Sequence, residues 1–206
     1  DAFGYGALGA NTTGEANSAF GNSALELNTT GSSNCAVGYG ALYATTTGSD
    51  NTAVGSGALD ANNTGAQNTA VGRSALTNAN GTHHYNTGVG YGALGTQTTA
   101  TRNTAVGRLA AQVLTTGDNN TCIGEQAGYN ITNGHSNVYL GQEARGSAVD
   151  VNHEYVIAQC TAGNGSNTFY VHSTSGAYNG QNTTTWAQTS DQRIKKNITN
   201  FDTGLS

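Results

Sequence analysis

The sequence predicts an all-β fold, a trimeric β-solenoid (β-roll) fibre of 17-residue coils followed by a small β stalk module. Three observations lead to this fold class. A short segment recurs at a constant spacing along most of the 206 residues, no helical period is visible, and the chain is rich in glycine but contains no proline. Self-similarity at a short fixed spacing is typical of structures in which each unit packs only on its two neighbours.

The repeated segment reads NTAVGSGAL at Asn51 and returns with small changes along residues 1–151. The spacing between copies is 17 residues everywhere except between Asn68 and Asn86, where it is 18. A shortened copy, AFGYGAL, stands at residues 2–8, so we interpret residues 1–151 as one repeat domain. The asparagines that open the copies are Asn17, Asn34, Asn51, Asn68, Asn86, Asn103, Asn120 and Asn137.

Each copy contains the parts of one solenoid coil. The residues NTAV are predicted to form a short strand, GSG a bend, and Ala58-Leu59 the start of a second strand. The eight polar residues that follow are turn formers. Coils of this kind stack at the strand spacing of about 4.8 Å. Equivalent residues then form columns, and the opening asparagines are expected to form an amide ladder that stabilises the shaft.

The apolar residues of a coil are few, and they are confined to its AVGxxAL half. Burying the valine and the leucine of one coil cannot offset the conformational entropy lost when the whole coil is ordered. We therefore predict that this half also packs against two further copies of the chain, with small residues such as Ala53 and Ala58 allowing close approach.

Composition excludes several classes of function. With seven Lys and Arg and a net charge of −5, the chain has no basic face for nucleic acid. No stretch reaches the roughly 18 apolar residues of a membrane span, so no membrane insertion is expected. Cys35 and Cys122 stand five coils apart, too far for a disulfide. No cofactor and no metal site is predicted, and no external substrate is expected.

The repeat stops after Asn152, and the next residues are predicted to form a separate β-module over 152–189, a stalk or collar. The segments HEYVIAQC at 153–160 and NTFYVHS at 167–173 alternate as strands do, and a glycine-rich loop joins them. The segment NTTTWAQTS at 182–190 is expected to add a third strand.

The segment SDQRIKKNI at residues 190–198 resembles the opening of the self-cleaving intramolecular chaperones at the C-termini of bacteriophage tail spikes and tail fibres. That family's pattern is Ser-Asp-x-Arg-x-Lys followed by a short apolar run. The resemblance implies that Ser190 is a nucleophile, that Lys195 is its base, and that the Ser190-Asp191 bond is cleaved once after trimerisation. Residues 190–206 hold only the start of such a domain, so we expect this fragment not to cleave itself. The alternative is a solvated charged turn with Ser190 as a helix N-cap.

The repeats resemble two groups of fibrous proteins. One comprises the tail-fibre shafts that carry this chaperone, and the other comprises the head coils of trimeric autotransporter adhesins. The resemblance implies a virion tail fibre facing the host surface, which binds a host glycan or protein through three identical sites. The head of a bacterial adhesin is the alternative, and an ice-binding solenoid is the third. Against ice binding, the threonines of the turns are expected to shift register from copy to copy.

The residue after the first glycine of each bend varies between copies, which predicts an outward column, called here the bend column. Its members are Tyr5, Asn22, Tyr39, Ser56, Arg73, Tyr91, Arg108, Glu125 and Gln142. Tyr39, Arg73, Tyr91 and Arg108 are candidate receptor contacts, because aromatic and guanidinium faces can stack on sugars. The alternative is a surface ladder that only stabilises the shaft.

The one extra residue of the array lies in the segment TNANGTHHY at residues 77–85. An inserted residue is expected to bulge outward, which makes His83, His84 and Tyr85 further candidates for receptor contact. Adjacent histidines on a strand point to opposite faces, so they do not predict a metal site.

Overall fold

A computed structural model describes residues 1–78 and 83–171, together with the backbone of two short strands further along the chain. Within this part every regular element is a β-strand and no helix occurs. The all-β repeat fold expected from the sequence is therefore confirmed.

Each coil of the repeat contributes one strand, usually of three residues. The strands are β1 Ala2–Phe3, β2 Ser18–Phe20, β3 Cys35–Val37, β4 Thr52–Val54, β5 Thr69–Val71, β6 Thr87–Val89, β7 Thr104–Val106, β8 Thr121–Ile123, β9 Val138–Leu140, β10 Tyr155–Ile157 and β11 Phe169–Val171. They pair in chain order, all parallel and in register, so that Thr52 faces Thr69 and Val54 faces Val71. This is a parallel β-solenoid whose equivalent residues form columns, as predicted.

The predicted second strand at Ala58-Leu59 is wrong. Leu59 adopts a left-handed backbone conformation with φ of 52°, and the same holds for the leucines at this place in neighbouring coils. The chain therefore turns here instead of extending. The N–H of Leu59 nevertheless donates to the carbonyl of Ala75 in the next coil at 3.0 Å. The turn is therefore hydrogen-bonded to the equivalent turn of the next coil although neither turn is a strand.

The interior of the solenoid is narrow and contains small residues. Ala53, Ala58 and Leu59 are fully buried within a single chain, and their counterparts from the second coil to the eighth are buried too. The opening asparagines lie in the same interior. The prediction that Ala53 and Ala58 form a close contact between chains is therefore wrong: both side chains point inward and pack against their own coils.

The valine of each strand points outward instead. The side chains at this place form the Val column, which we define as Phe20, Val37, Val54, Val71, Val89, Val106, Ile123, Leu140 and Ile157. Every member is exposed or half-buried, and Val54 is 37% exposed. An unbroken apolar stripe therefore runs along the outside of the described chain from β2 to β10.

Glycine follows every strand of the array, where neighbouring coils are too close for a side chain. A Cβ placed on Gly55 would lie 2.6 Å from the carbonyl oxygen of Gly72 in the next coil, well inside van der Waals contact. The φ of Gly55 is +133°, a region that residues with a side chain rarely adopt. The stacking distance and the corner of the coil thus both require glycine at this place.

The sheet continues past residue 151. Strand β10 pairs with β9, and β11 pairs with β10, both parallel and in register. The two strands expected at 153–160 and 167–173 are thus present, and they extend the same sheet. The direction changes after β11, because β12 Ala177–Asn179 and β13 Ala187–Gln188 pair antiparallel. The third strand expected at 182–190 corresponds to β13.

A further set of side-chain hydrogen bonds lies in the turns that precede several of the strands. The backbone N–H of Ser32 donates to Ser49 Oγ at 3.0 Å, and that of Ala66 donates to His84 Nδ1 at 3.0 Å. The N–H of Asp118 likewise donates to His135 Nδ1 at 3.0 Å. Serine and histidine are therefore equivalent at this place, because each side chain accepts a backbone N–H from the preceding coil.

Candidate functional site

The asparagine ladder is the main polar structure of the interior. The Asn51 side-chain oxygen accepts the backbone N–H of Asn68 at 3.1 Å and its Nδ2 at 3.2 Å. The Nδ2 of Asn51 donates to the carbonyl of Gly65 in its own coil at 2.9 Å. Each side-chain amide thus joins its coil to the next one, and it also joins the two ends of its own coil. At every step of the expected ladder from Asn17 to Asn137, the backbone N–H of one asparagine donates to Oδ1 of the asparagine before it, including across the 18-residue coil, where the N–H of Asn86 donates to Asn68 Oδ1 at 3.0 Å.

The ladder ends at Glu154, which takes the place of the next asparagine. The N–H of Glu154 donates to Asn137 Oδ1 at 2.9 Å. Its buried carboxylate accepts hydrogen bonds from Tyr139 Oη at 3.0 Å, Ser147 N at 3.1 Å and Gly165 N at 2.7 Å. Burial is the main cause that raises the pKa of the Tyr139 phenol, and the Glu154 carboxylate raises it further. The phenol therefore stays protonated and donates to Glu154. The following coil is shorter, with Tyr155 facing Phe169.

The bend column lies on the surface as predicted. The carbonyl of each member accepts the N–H of the residue that follows the next member; for example, the N–H of Ser74, which follows Arg73, donates to the carbonyl of Ser56 at 3.0 Å. The guanidinium of Arg73 lies 5.9 Å from the centre of the Tyr91 ring in the next coil, and Arg108 pairs with Glu125. These cationic members thus contact their neighbours along the column, as the ladder alternative expects. Tyr5 and Tyr39 are the most exposed tyrosines of the column.

A groove of about 510 Å³ runs beside the first part of the bend column. One wall carries Tyr39 and Arg73 from the bend column. The other wall carries the residues that follow the buried leucines, among them Glu26, Tyr43 and Asp60. Its floor consists of glycine and serine, and a smaller extension of about 130 Å³ shares Ser74 and Thr77 with it.

The three residues of the inserted coil have different environments. His83 is fully buried, so it offers no surface to a receptor. His84 is half-buried and accepts the Ala66 N–H described above. Tyr85 is exposed, and the guanidinium of Arg102 lies 5.6 Å from the centre of its ring. Of this group, Tyr85 presents the largest open surface.

The turn threonines are in register within two blocks of coils, which corrects the predicted shift from copy to copy, but Asn63 takes the threonine place after Thr46 and interrupts the column. Thr29 pairs with Thr46 in the next coil through N–H to carbonyl and Oγ1 to carbonyl bonds of 2.9 and 3.0 Å. Thr98, Thr115 and Thr132 repeat this arrangement in later coils. Thr45 hides this register in the sequence because it lengthens the run of threonines in its coil. Its side chain occupies the buried place before Thr46.

The three cysteines are free, as expected. Cys122 fills the place of the buried alanine in β8, and Cys35 replaces the threonine of β3. Burial raises the pKa of the Cys122 thiol to about 12. Cys160 is exposed.

We expect alkylation to separate these thiols, because the thiolate is the reactive form. Iodoacetamide at pH 8 should modify Cys160 in the folded protein and should leave Cys122 unmodified until the chain is unfolded. Mass spectrometry of the peptides after a timed reaction checks this. Equal rates at the two sites in folded protein would show that the interior around β8 opens readily.

The other site predictions have the following outcomes. Ser190, Lys195 and the Ser190-Asp191 bond lie outside the described residues. Over the described ranges, no group of three or more His, Cys, Asp or Glu side chains is arranged to hold a metal ion. None of the elements described there is a helix that could span a bilayer.

Two features of the surface and the core escape sequence reasoning. Glu154 stands 17 residues after Asn137, so the repeat spacing itself marks it as the end of the ladder. Glu26, Tyr43 and Asp60 each follow the leucine of a repeat, and variation at that place is the signal for an exposed wall. Their proximity to the bend column depends on the turn at the leucine, which the residue pattern does not reveal.

Comparison with protein-family models, with curated proteins and with solved structures finds no match to this chain. The resemblances to tail fibres and to trimeric adhesins therefore rest on the repeats and on the Ser190 motif alone.

Proposed function

We propose that this chain is a shaft segment of a homotrimeric bacteriophage tail fibre, which attaches the virion to a host cell surface. The observation that carries the proposal is the Val column, an apolar stripe left uncovered on a regular rod. The Ser190 motif supports the phage origin. In the full-length protein, Ser190 and Lys195 would cleave the Ser190-Asp191 bond once after assembly.

The Val column supports assembly because no segment within residues 1–78 and 83–171 covers it. The alanine, leucine and asparagine columns are satisfied within one chain, so the need for partners falls on this outward face. Covering the exposed part of each side chain is worth on the order of 0.5–1 kcal/mol. Since the sheet stacks its members regularly over nine successive strands, from β2 to β10, the gains add along the shaft.

Three copies are proposed because both groups of proteins that the repeats resemble are trimeric. Three outward faces with small flanking residues can meet around one axis, and each chain keeps its bend column on the outside. Receptor contacts would then occur in three equivalent places, which raises the avidity for a surface with many receptors. The proposed receptor is a host surface glycan or protein.

Sedimentation of the 206-residue chain tests the proposal. We expect a trimer for the unaltered chain and a monomer for Val71→Asp/Val106→Asp, because buried carboxylates without partners oppose the interface. Val149→Asp is the matched control, since Val149 is 51% exposed but lies outside the Val column. A monomer of the unaltered chain at micromolar concentration would contradict the proposal.

The trimeric adhesin head remains the alternative within the same architecture. The two differ in the Ser190 motif, which the adhesin group lacks. Cleavage between Ser190 and Asp191 in the full-length gene product, abolished by Ser190→Ala, would favour the tail fibre.

One observation favours the ice-binding solenoid as a second candidate: turn threonines align in two blocks of three coils, Thr12, Thr29 and Thr46 and later Thr98, Thr115 and Thr132, although Asn63 interrupts the column. However, their hydroxyl groups donate to carbonyls of the next coil, as Thr115 does to Thr132, and so are partly occupied by the protein itself. A thermal-hysteresis assay distinguishes the two functions, because only an ice-binding protein lowers the freezing point without lowering the melting point.

A further inference from the structure

The groove beside the bend column is a built cavity with a defined beginning and end. Its floor is made by the residues that follow the bend column, which are glycine or serine in the first six coils. In the seventh coil Leu109 takes this place, and its Cδ2 lies 2.8 Å from where a Cβ of Gly92 would be. Leu109 therefore closes the smaller extension of the groove, which it lines. At the other end, the Glu26 carboxylate lies over Gly6, and its Oε2 is 2.9 Å from where a Cβ of Gly6 would be.

The floor is open between these ends. A Cβ on Gly40 would meet no atom within 4 Å. Tyr39 and Tyr43 stand on either side of Gly40, on the two walls, and both rings are exposed. The volume of about 510 Å³ lies within the range of about 300–1,000 Å³ that is usual for ligand sites.

The backbone of the floor is already used within the protein. The N–H of Gly40 donates to the Asn22 carbonyl at 3.0 Å, and that of Gly57 donates to the Tyr39 carbonyl at 2.9 Å. A peptide that binds as an added strand needs free N–H and C=O groups along a sheet edge, and this floor is a row of bends whose Gly40 and Gly57 N–H groups are occupied. Recognition must therefore come from side chains.

The side chains available are aromatic faces, hydroxyls and carboxylates. Tyrosine rings can pack against the apolar face of a sugar ring, and carboxylates can accept hydrogen bonds from its hydroxyl groups. Asp60 is placed for this, because only its Oδ1 is engaged, by Thr77 Oγ1 at 2.8 Å. Glu26 and Asp60 outnumber Arg73 in the groove, so an acidic ligand would be repelled.

We propose that this groove binds an uncharged oligosaccharide chain, aligned along the shaft, with Tyr39 and Tyr43 stacking on sugar rings above Gly40. Glu26 and Asp60 accept hydrogen bonds from sugar hydroxyls, and Leu109 limits the length of chain that binds. This inference names the ligand class for the proposed attachment function and rests on that function for its biological meaning.

The decisive variant fills the floor without disturbing the coil. Gly40→Leu puts leucine at φ of 62°, and Leu109 shows that leucine occupies the equivalent place at φ of 57°. We expect this change to weaken binding of neutral hexasaccharides by about tenfold or more. The matched control is Gln126→Leu, at the equivalent place outside the groove, where φ is 53°.

Calorimetric titration of the whole chain with neutral, uronic-acid and amino-sugar hexasaccharides measures the effect. Binding of a neutral hexasaccharide that is lost in Gly40→Leu and Tyr39→Ala/Tyr43→Ala, and kept in Gln126→Leu, would support the proposal. Binding only of the uronic-acid probe, equal binding by all variants, or no binding of any neutral probe at millimolar concentration would overturn it.

Failure of the groove and failure of the attachment function can be told apart. If the chain sediments as a trimer, and if Gly40→Leu adheres to host cells as well as the unaltered chain does, the oligosaccharide proposal fails and the attachment function stands. If the chain is a monomer that still binds neutral hexasaccharides in the groove, the trimeric fibre proposal fails and the oligosaccharide proposal stands.

Discussion

Replacing Asn103 by alanine should lower the free energy of unfolding by about 3–5 kcal/mol. The Asn103 side chain accepts the Asn120 N–H at 2.8 Å and its Nδ2 at 3.1 Å, and it donates to the Gly117 carbonyl at 2.8 Å. Alanine removes these three bonds and a fourth, from Asn103 Nδ2 to Asn86 Oδ1 at 3.4 Å, all in a buried place. Buried polar groups left without a partner cost about 1–3 kcal/mol each.

Urea titration followed by circular dichroism measures this loss. Asn22→Ala is the control, because Asn22 is an exposed member of the bend column, and its replacement should change the stability by less than about 0.5 kcal/mol. If Asn103→Ala cost no more than Asn22→Ala, the amide ladder would be incidental to the stability of the shaft.

Replacing Gly107 by alanine should be similarly severe, at about 3–5 kcal/mol, through backbone strain and overpacking together. A Cβ at this corner would lie 2.3 Å from the Gly124 carbonyl oxygen, and φ is +137°. The two coils would have to separate locally. That separation would also stretch the ladder bonds between Asn103 and Asn120.

Thermal unfolding compares this variant with Gly40→Ala. Gly40 also has a positive φ, but its added Cβ meets open space, so only the conformational cost of about 1 kcal/mol remains. Similar midpoints for the two variants would mean that the close contact at the corner does not set the spacing of the coils.

The repeat and its opening asparagine suffice to predict the stacking, the register and the ladder. A side chain that returns every 17 residues must form a column once the coils stack in parallel. The place of the free cysteines follows from the same argument, since Cys122 simply replaces a buried alanine. These conclusions depend only on the spacing, which the sequence states directly.

The direction of each column required the folded chain. Valine and alanine alternate along the strand, and either face could be the interior until the turn at Leu59 is known. That turn depends on a left-handed conformation that residue type does not predict, because leucine rarely adopts it. The error over Ala53 and Ala58 has this origin, and so does the missed wall of Glu26, Tyr43 and Asp60.

The amino-acid sequence alone thus determined a parallel stack of coils joined by an asparagine ladder, because constant spacing leaves one way to superpose identical residues. Only the tertiary structure decided which residues face water. It turned alanine and leucine inward, left the Val column outside, and opened a groove at Gly40, because the left-handed turns set the direction in which each coil closes.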